Sequence, residues 1–229
     1  MKRLFNKENA DKLDSIDRCF FEAEHGWISL SLDRLSDLSD EFPEDPEVLY
    51  TEGLIRKDFL GQGLKAQELF IAAQKFEANP NSKSDNFKLA TFNAAKYARN
   101  ENEFRHQASI ALRLFPDDLG FKQFHKQIEH ALTKGIIYAD ILTRNIAFCQ
   151  HNSLHGDCAA FAEIALQVFK YNIDQELSIR DARFRSLREL DKAAEASRRT
   201  RGEGFPPIER LALKEAMNEI NIALDPNPC

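Results

Sequence analysis

Apolar side chains recur every three to four residues along almost the whole chain, and this spacing is the feature that most restricts its fold. Leu13, Ile16, Phe20 and Ala23 show the pattern near the N-terminus. Such spacing gathers apolar groups on one face of an α-helix. The 9 Gly and 8 Pro residues lie mostly between the periodic stretches, and no stretch alternates long enough to indicate a strand. The sequence therefore predicts an all-α chain of about eleven helices joined by short turns.

The composition excludes several classes of protein. With 229 residues, 43% hydrophobic and 30% charged, the chain is typical of a globular protein with a sizeable core. No apolar run approaches the roughly 18 residues of a membrane span, so no membrane insertion is expected. The first residues become charged too early for a secretory signal, and four Cys are too few for a disulfide scaffold. These features predict a cytoplasmic location.

Small residues and prolines recur at set distances between the predicted helices. Ser31 and Cys19 precede Pro43 by 12 and 24 residues, and Gly53 is the eighth residue of the stretch that begins at Pro46. This spacing resembles the tetratricopeptide repeat (TPR), a helix–turn–helix unit of about 34 residues. In that family small residues stand where the two helices cross, because close approach of helices requires them.

The resemblance implies stacked antiparallel helix hairpins that form a TPR-like right-handed solenoid with a concave groove. It is clearest in the first two units, and in the third unit Phe92 takes the place of a small residue. The implied boundaries are 9–118 for the repeats (units 12–45, 46–82 and 85–118), 119–201 for further hairpins with degenerate repeats and 206–225 for a C-terminal capping helix.

In TPR folds the first helix of each unit lines the groove. The resemblance therefore implies a non-enzymatic protein–protein interaction module, an adaptor, scaffold or chaperone that binds a peptide or helix of a partner. The family's clamp for a peptide's C-terminal carboxylates is not expected, because Ile16 and Phe20 stand where it needs basic and Asn residues. An alternative is that Phe20 and Leu54 belong to the core. The expected groove residues are Phe20, Tyr50, Leu54, Lys57, Asn93, Lys96 and Tyr97.

The charges are separated along the chain. The net charge is −6, but residues 8–52 carry 14 acids and 3 bases, whereas residues 178–201 carry 8 bases and 4 acids. Arg180, Arg183 and Arg188 are spaced to line one side of a long helix over about 174–199. In a solenoid the acidic and basic segments would lie at opposite ends of the molecule.

Three interpretations of this charged secondary surface remain open: an ordinary solvated helix face, a contact with an acidic protein or with another copy, and a nucleic-acid site. The acidic chain makes nucleic acid an unlikely partner. The alternative function is therefore a self-assembling structural or regulatory protein, a possible homo-oligomer in which the acidic N-terminal third meets the Arg-rich helix of a neighbour.

Four potential zinc ligands lie within ten residues: Cys149, His151, His155 and Cys158. Two thiolates and two imidazoles suit zinc, but the spacing lacks the paired C-x₂-C arrangement of structural zinc sites. The alternative is that both cysteines pack inside helices, with the next helix over about 158–171. Neither a Gly-rich phosphate loop nor a catalytic constellation is recognisable, so we expect no metal, no cofactor and no enzymatic activity.

Overall fold

The computed structural model describes residues 7–76 and 85–199 together with Ala216. This part of the chain contains ten α-helices and no strand, so the predicted all-α class is confirmed. The predicted C-terminal capping helix, over 206–225, lies outside the described residues except for Ala216, which is helical and buried. The helices are α1 (Lys7–Glu24), α2 (Ile28–Glu41), α3 (Pro46–Leu60), α4 (Gly63–Phe76), α5 (Asp85–Lys96), α6 (Glu101–Leu114), α7 (Leu119–Thr133), α8 (Tyr138–His151), α9 (His155–Val168) and α10 (Ile173–Arg199).

Polar side chains at the helix starts explain several of these boundaries. Asp45 accepts hydrogen bonds from two backbone amides at the start of α3, where Pro46 is the first residue. Asn100 and Asp118 likewise each accept a hydrogen bond from a backbone amide at the starts of α6 and α7. Gly61 ends α3 in the left-handed conformation, with φ of 61°. The ninth helix starts three residues earlier than predicted, directly after the turn at Ser153.

The first two helix pairs cross at small residues. In the α1–α2 pair the Ser31 hydroxyl donates to the Cys19 carbonyl oxygen at 2.8 Å, and both residues are fully buried. In the α3–α4 pair the Phe70 ring packs directly on Gly53, where a methyl group would lie 2.7 Å from the ring. The small-residue positions chosen from the sequence therefore do allow these helices to approach closely.

The ninth helix lies at the centre of the fold and packs against α3, α4, α8 and α10. Ala159 and Ala160 of α9 face Gly61 and Gly63 in the α3–α4 turn, and a methyl group at Gly63 would lie 2.5 Å from the Ala160 carbonyl oxygen. Small residues on both sides thus bring α9 into backbone contact with a turn about a hundred positions earlier.

The tenth helix runs beside α9 and reaches the N-terminal helices. Leu187 of α10 shares a buried core with Ile16 of α1 and Ile55 of α3. The expectation that the acidic N-terminal third and the Arg-rich helix lie at opposite ends is therefore wrong. Because α9 must bury small apolar residues on several faces, the chain folds back and brings α10 next to α1. None of the helices described is long and apolar enough to cross a membrane.

Candidate functional site

Five polar side chains meet where α3, the end of α5 and the start of α9 come together. We call this group the lysine–aspartate cluster, and it consists of Lys57, Asp58, Lys96, Tyr97 and Asp157. Lys57 and Asp58 lie in the last turn of α3, Lys96 ends α5, and Asp157 lies in the first turn of α9. Three segments distant in sequence therefore contribute to one site.

The carboxylate of Asp157 is the centre of the cluster. Its Oδ1 accepts hydrogen bonds from Lys57 Nζ, at 3.2 Å, and from the Tyr97 hydroxyl, while its Oδ2 accepts one from Lys96 Nζ at 2.8 Å. Lys57 also donates to Asp58. Each lysine ammonium stands over the Tyr97 ring, at 5.9 Å for Lys57 and 5.2 Å for Lys96. The two lysines and two aspartates together form a network with no net charge.

The surroundings of Asp157 keep it ionised. Burial by itself would raise the pKa of this carboxyl, whose side chain is 14% exposed. The charges of Lys96 and Lys57, with the hydrogen bonds from Lys96 and Tyr97, outweigh burial and lower the pKa to about 2. Its place in the first turn of α9 also favours a negative charge, since the N-terminal end of a helix is positive.

Lys57 and Tyr97 of the cluster hold their protons. Burial would lower the pKa of Lys57, but Asp58 and Asp157 raise it. Burial and the neighbouring Asp157 charge raise the pKa of the fully buried Tyr97 well above its ordinary value. Burial also raises the pKa of Asp58, although Lys57 opposes this change.

Packing around the cluster fixes the position of α9. Gly156 lies against Asp58, where a methyl group would be 2.8 Å from the Asp58 Cα. The ring of Phe161, one turn further along α9, is 5.0 Å from the Tyr97 ring. At the start of α4 the Leu64 amide donates to Glu163 at 2.9 Å, so a carboxylate of α9 satisfies an N-terminal amide of another helix.

The predicted groove residues do not all lie together. Lys57, Lys96 and Tyr97 meet at Asp157. Tyr50 is buried against Phe70 just below them, and Leu54 packs on the same core. Phe20 packs in the separate N-terminal core with Ile16 and Leu187. In the described conformation, α9 therefore covers the inner side of α3, and partner binding by these residues stays a prediction.

One side of α5 remains accessible beside the cluster. We call it the α5 face, and it consists of Asn86, Leu89, Asn93 and Lys96, which recur at intervals of three and four residues. Leu89 is 44% exposed and the Lys96 side chain 33% exposed, while Asn86 is exposed and Asn93 half-buried. An exposed leucine, two amides and an ammonium thus share one accessible helix surface.

Sequence reasoning did not include Asp157 among the site residues. The available signal was its position between Gly156 and the small residues Cys158, Ala159 and Ala160. This run permits a close helix contact, and an acid placed there must meet a buried cation. The sequence alone did not indicate that the contact would be with α3 and α5.

The structure separates the predicted arginine surface into three environments. Arg180 binds Glu176 on its own helix at 2.7 Å. Arg183 is buried, with 4% of its surface exposed. Arg188 is exposed and lines a surface pocket beside the start of α9. The three side chains therefore do not form one continuous charged surface.

Cys149 and Cys158, the two cysteines of the considered zinc set, are buried in the core. The Cys158 thiol points to the Ile146 carbonyl oxygen at 3.8 Å, and burial raises the pKa of Cys149 to about 12. His151 is exposed at the end of α8. Within the described residues, no group of three or more His, Cys, Asp or Glu side chains is arranged to hold a metal ion.

Comparisons of the chain with protein-family models, curated proteins and solved structures found no match.

Proposed function

We propose that this chain is a non-enzymatic protein–protein interaction module, a TPR-like adaptor or scaffold that binds an acidic peptide or helix of a partner on the α5 face. The observation that carries the proposal is the α5 face itself, an accessible apolar and amide surface that leads to the ammonium of Lys96. The first three helix pairs would form the TPR-like solenoid, with α9 occupying the inner side of α3. The cytoplasmic location remains the prediction made from the sequence.

The binding of α9 supports this assignment, because it is an internal example of the same recognition. The last turn of α3 and the end of α5 hold the start of α9 through a carboxylate, two lysines and an aromatic ring. An ammonium has three donors, and Lys96 uses one of them on Asp157. A partner carboxylate would bind the remaining donors, while an apolar partner side chain would contact Leu89.

The protonation states favour binding over catalysis. A catalytic lysine, tyrosine or cysteine generally needs a lowered pKa to act as a base or nucleophile near neutral pH. In this structure the pKa values of Lys57, Tyr97 and Cys149 are all raised. These groups therefore keep their protons and act as donors or as packing residues.

Partner capture from an extract of the native cells tests the proposal, with the full chain as bait and captured proteins quantified by mass spectrometry. We expect the Leu89→Asp/Asn93→Ala double variant to lose at least about tenfold of the partner captured by the wild type, because the apolar anchor is replaced by a repelling charge. Both changed residues lie outside the Asp157 contacts, so the fold should be retained, which circular dichroism checks.

The matched control is Leu119→Asp, on α7, where the leucine is 78% exposed. It introduces the same charge away from the α5 face, and we expect it to retain the captured proteins. Equal capture by the wild type and the folded double variant would reject the α5 face as the binding surface. The self-assembly alternative stays a prediction, and within one chain α10 already packs against α1 and α3.

A further inference from the structure

A second accessible site lies between the start of α9 and α10, and it shares no residue with the α5 face. A surface pocket of about 450 Å³ separates the start of α9 from the middle of α10. A histidine and two arginines line it, His155, Arg185 and Arg188, together with the side-chain amide of Gln150. Buried Ser186 and the carboxylate of Glu189 complete the described lining.

The charges around this pocket leave an excess of donors for an anion. Glu189 is the carboxylate of the lining, and Lys192 already binds it at 2.6 Å. Arg185 binds Asp181 on the same exposed helix surface, and an exposed pair of this kind contributes little free energy. Arg185 can therefore turn toward a ligand at small cost, and Arg188 adds a second guanidinium.

The backbone reinforces the same preference. His155 is the first residue of α9, and Leu154 at the N-cap has no side-chain oxygen with which to accept from the first-turn amides. The positive end of the helix therefore faces the region where both guanidinium groups lie. Guanidinium groups bind carboxylates and phosphates through paired hydrogen bonds, which a planar fork of donors matches well.

We propose that the pocket formed by His155, Arg185 and Arg188 is an oxyanion site that binds a phosphate monoester or a carboxylate on a ligand or partner. The site is independent of the α5 face, because its residues lie on α10 and at the outer side of the α9 start. It also gives a function to two accessible arginines of α10, a helix in which Arg180 binds Glu176 and Arg183 is buried.

Nuclear magnetic resonance of the ¹⁵N-labelled full chain tests this site with phenyl phosphate and benzoate as matched probes at constant ionic strength. We expect saturable shifts in the amides of His155 and Gly156 and in the Arg188 side chain. Arg188→Ala should weaken binding about tenfold, the effect of losing one charge-assisted contact. Arg113→Ala, at an exposed arginine of α6, is the control that should bind like the wild type.

The two probes distinguish the sources of the anion. Saturation by phenyl phosphate alone supports a phosphate monoester, whereas similar saturation by both probes supports a site for which a carboxylate suffices. Absence of saturation by either probe would overturn the proposal. Equal affinities of the Arg188→Ala and Arg113→Ala variants would overturn it as well, because binding would then not depend on the pocket.

Discussion

Asp157 shows how one residue can connect distant parts of this chain. A buried carboxylate is costly unless its charge is paired and its oxygens accept hydrogen bonds. Asp157 meets both conditions through Lys57, Lys96 and Tyr97, which belong to two other segments. Its removal would leave two lysines with too few partners, so the cost of a substitution exceeds the value of a single hydrogen bond.

We expect Asp157→Asn to lower the free energy of unfolding by about 3 kcal/mol, since it removes the charge that balances two partly buried lysines. Urea denaturation followed by circular dichroism measures this change. The control is Asp181→Asn on α10, whose exposed carboxylate binds only one exposed arginine in the described contacts. Asp181→Asn should change the free energy of unfolding by less than about 0.5 kcal/mol. Similar losses in both variants would contradict the central role given to Asp157.

The pH dependence of stability follows from the same residue. The pKa of Asp157 is about 2 in the folded chain, below its ordinary value of 3.8. As the pH falls through 4, the unfolded chain takes up a proton at this position before the folded chain does. The stabilisation is therefore complete above about pH 5 and is lost toward pH 2, and its size is about 2 kcal/mol.

Unfolding measured between pH 6 and pH 2 in the wild type and in Asp157→Asn isolates this contribution. The difference in stability between the two proteins should shrink as the pH decreases. Asp58 has a raised pKa and changes stability in the opposite direction, and because the Asp157 charge is one cause of that raised pKa, Asp58 offsets part of the difference between the two proteins. A difference that stays constant over the whole range would show that Asp157 does not carry this dependence.

At the scale of the helices, the close packing of α9 depends on glycines, which have no side chain. Gly61 and Gly63 in the α3–α4 turn and Gly156 in α9 each lie where a methyl group would meet another segment at less than 3 Å. Interiors packed this closely tolerate added volume poorly. The fit of α9 therefore depends on glycines as much as on the polar contacts of the cluster.

We expect Gly63→Ala to destabilise the chain by about 2 kcal/mol, because the new methyl group would press on the Ala160 backbone. Gly120→Ala is the matched control, since in α7 the nearest atom to the new methyl group would be 3.5 Å away. Alanine is the better helix former, so the control should be neutral or stabilising by up to about 1 kcal/mol. Thermal unfolding measures the stability of both variants. An equal loss of stability in Gly63→Ala and Gly120→Ala would contradict the close contact between Gly63 and α9.

Much of the element structure could be predicted from the sequence, for local reasons. Apolar periodicity and the polar caps at Asp45, Asn100 and Asp118 determine where helices begin, and these signals lie within a few residues of each boundary. The start of α9 was missed because Leu154 is not a capping residue. The contact of Gly61 and Gly63 with α9 could not be predicted, since it depends on residues far along the chain.

At the scale of the whole molecule, the path of the chain could not be read from local patterns. In a regular stack of hairpins, segments that are distant in sequence are also distant in space. The prediction that the acidic and basic segments lie at opposite ends depended on such a stack. The packing of α10 against α1, with Leu187 and Ile16 in one buried core, contradicts it. Of the candidate site, Lys57, Lys96 and Tyr97 were chosen through the resemblance to TPR groove positions, whereas Asp157 required knowledge of the tertiary contact.

The closed arrangement also changes how the groove can be tested. Tyr50 and Tyr97 are buried beneath α9, so their substitution would change stability together with binding. The α5 face and the oxyanion pocket remain accessible, and substitutions there separate partner binding from folding. The α5 face and the oxyanion pocket are therefore two accessible surfaces of a fold in which α9 is the central helix.

Hydrogen exchange followed by mass spectrometry gives the sharpest test that α9 is packed against α3 and α4 and joined to the end of α5 through Asp157. Exchange through opening of the fold is slowest where buried contacts are most numerous. We therefore expect peptides from α9 (His155–Val168) to exchange more slowly than those from α7 (Leu119–Thr133), whose buried side chains are few. Exchange of α9 as fast as that of α7 would mean that α9 is not held against α3 and α4, and the central position of α9 in this fold would be wrong.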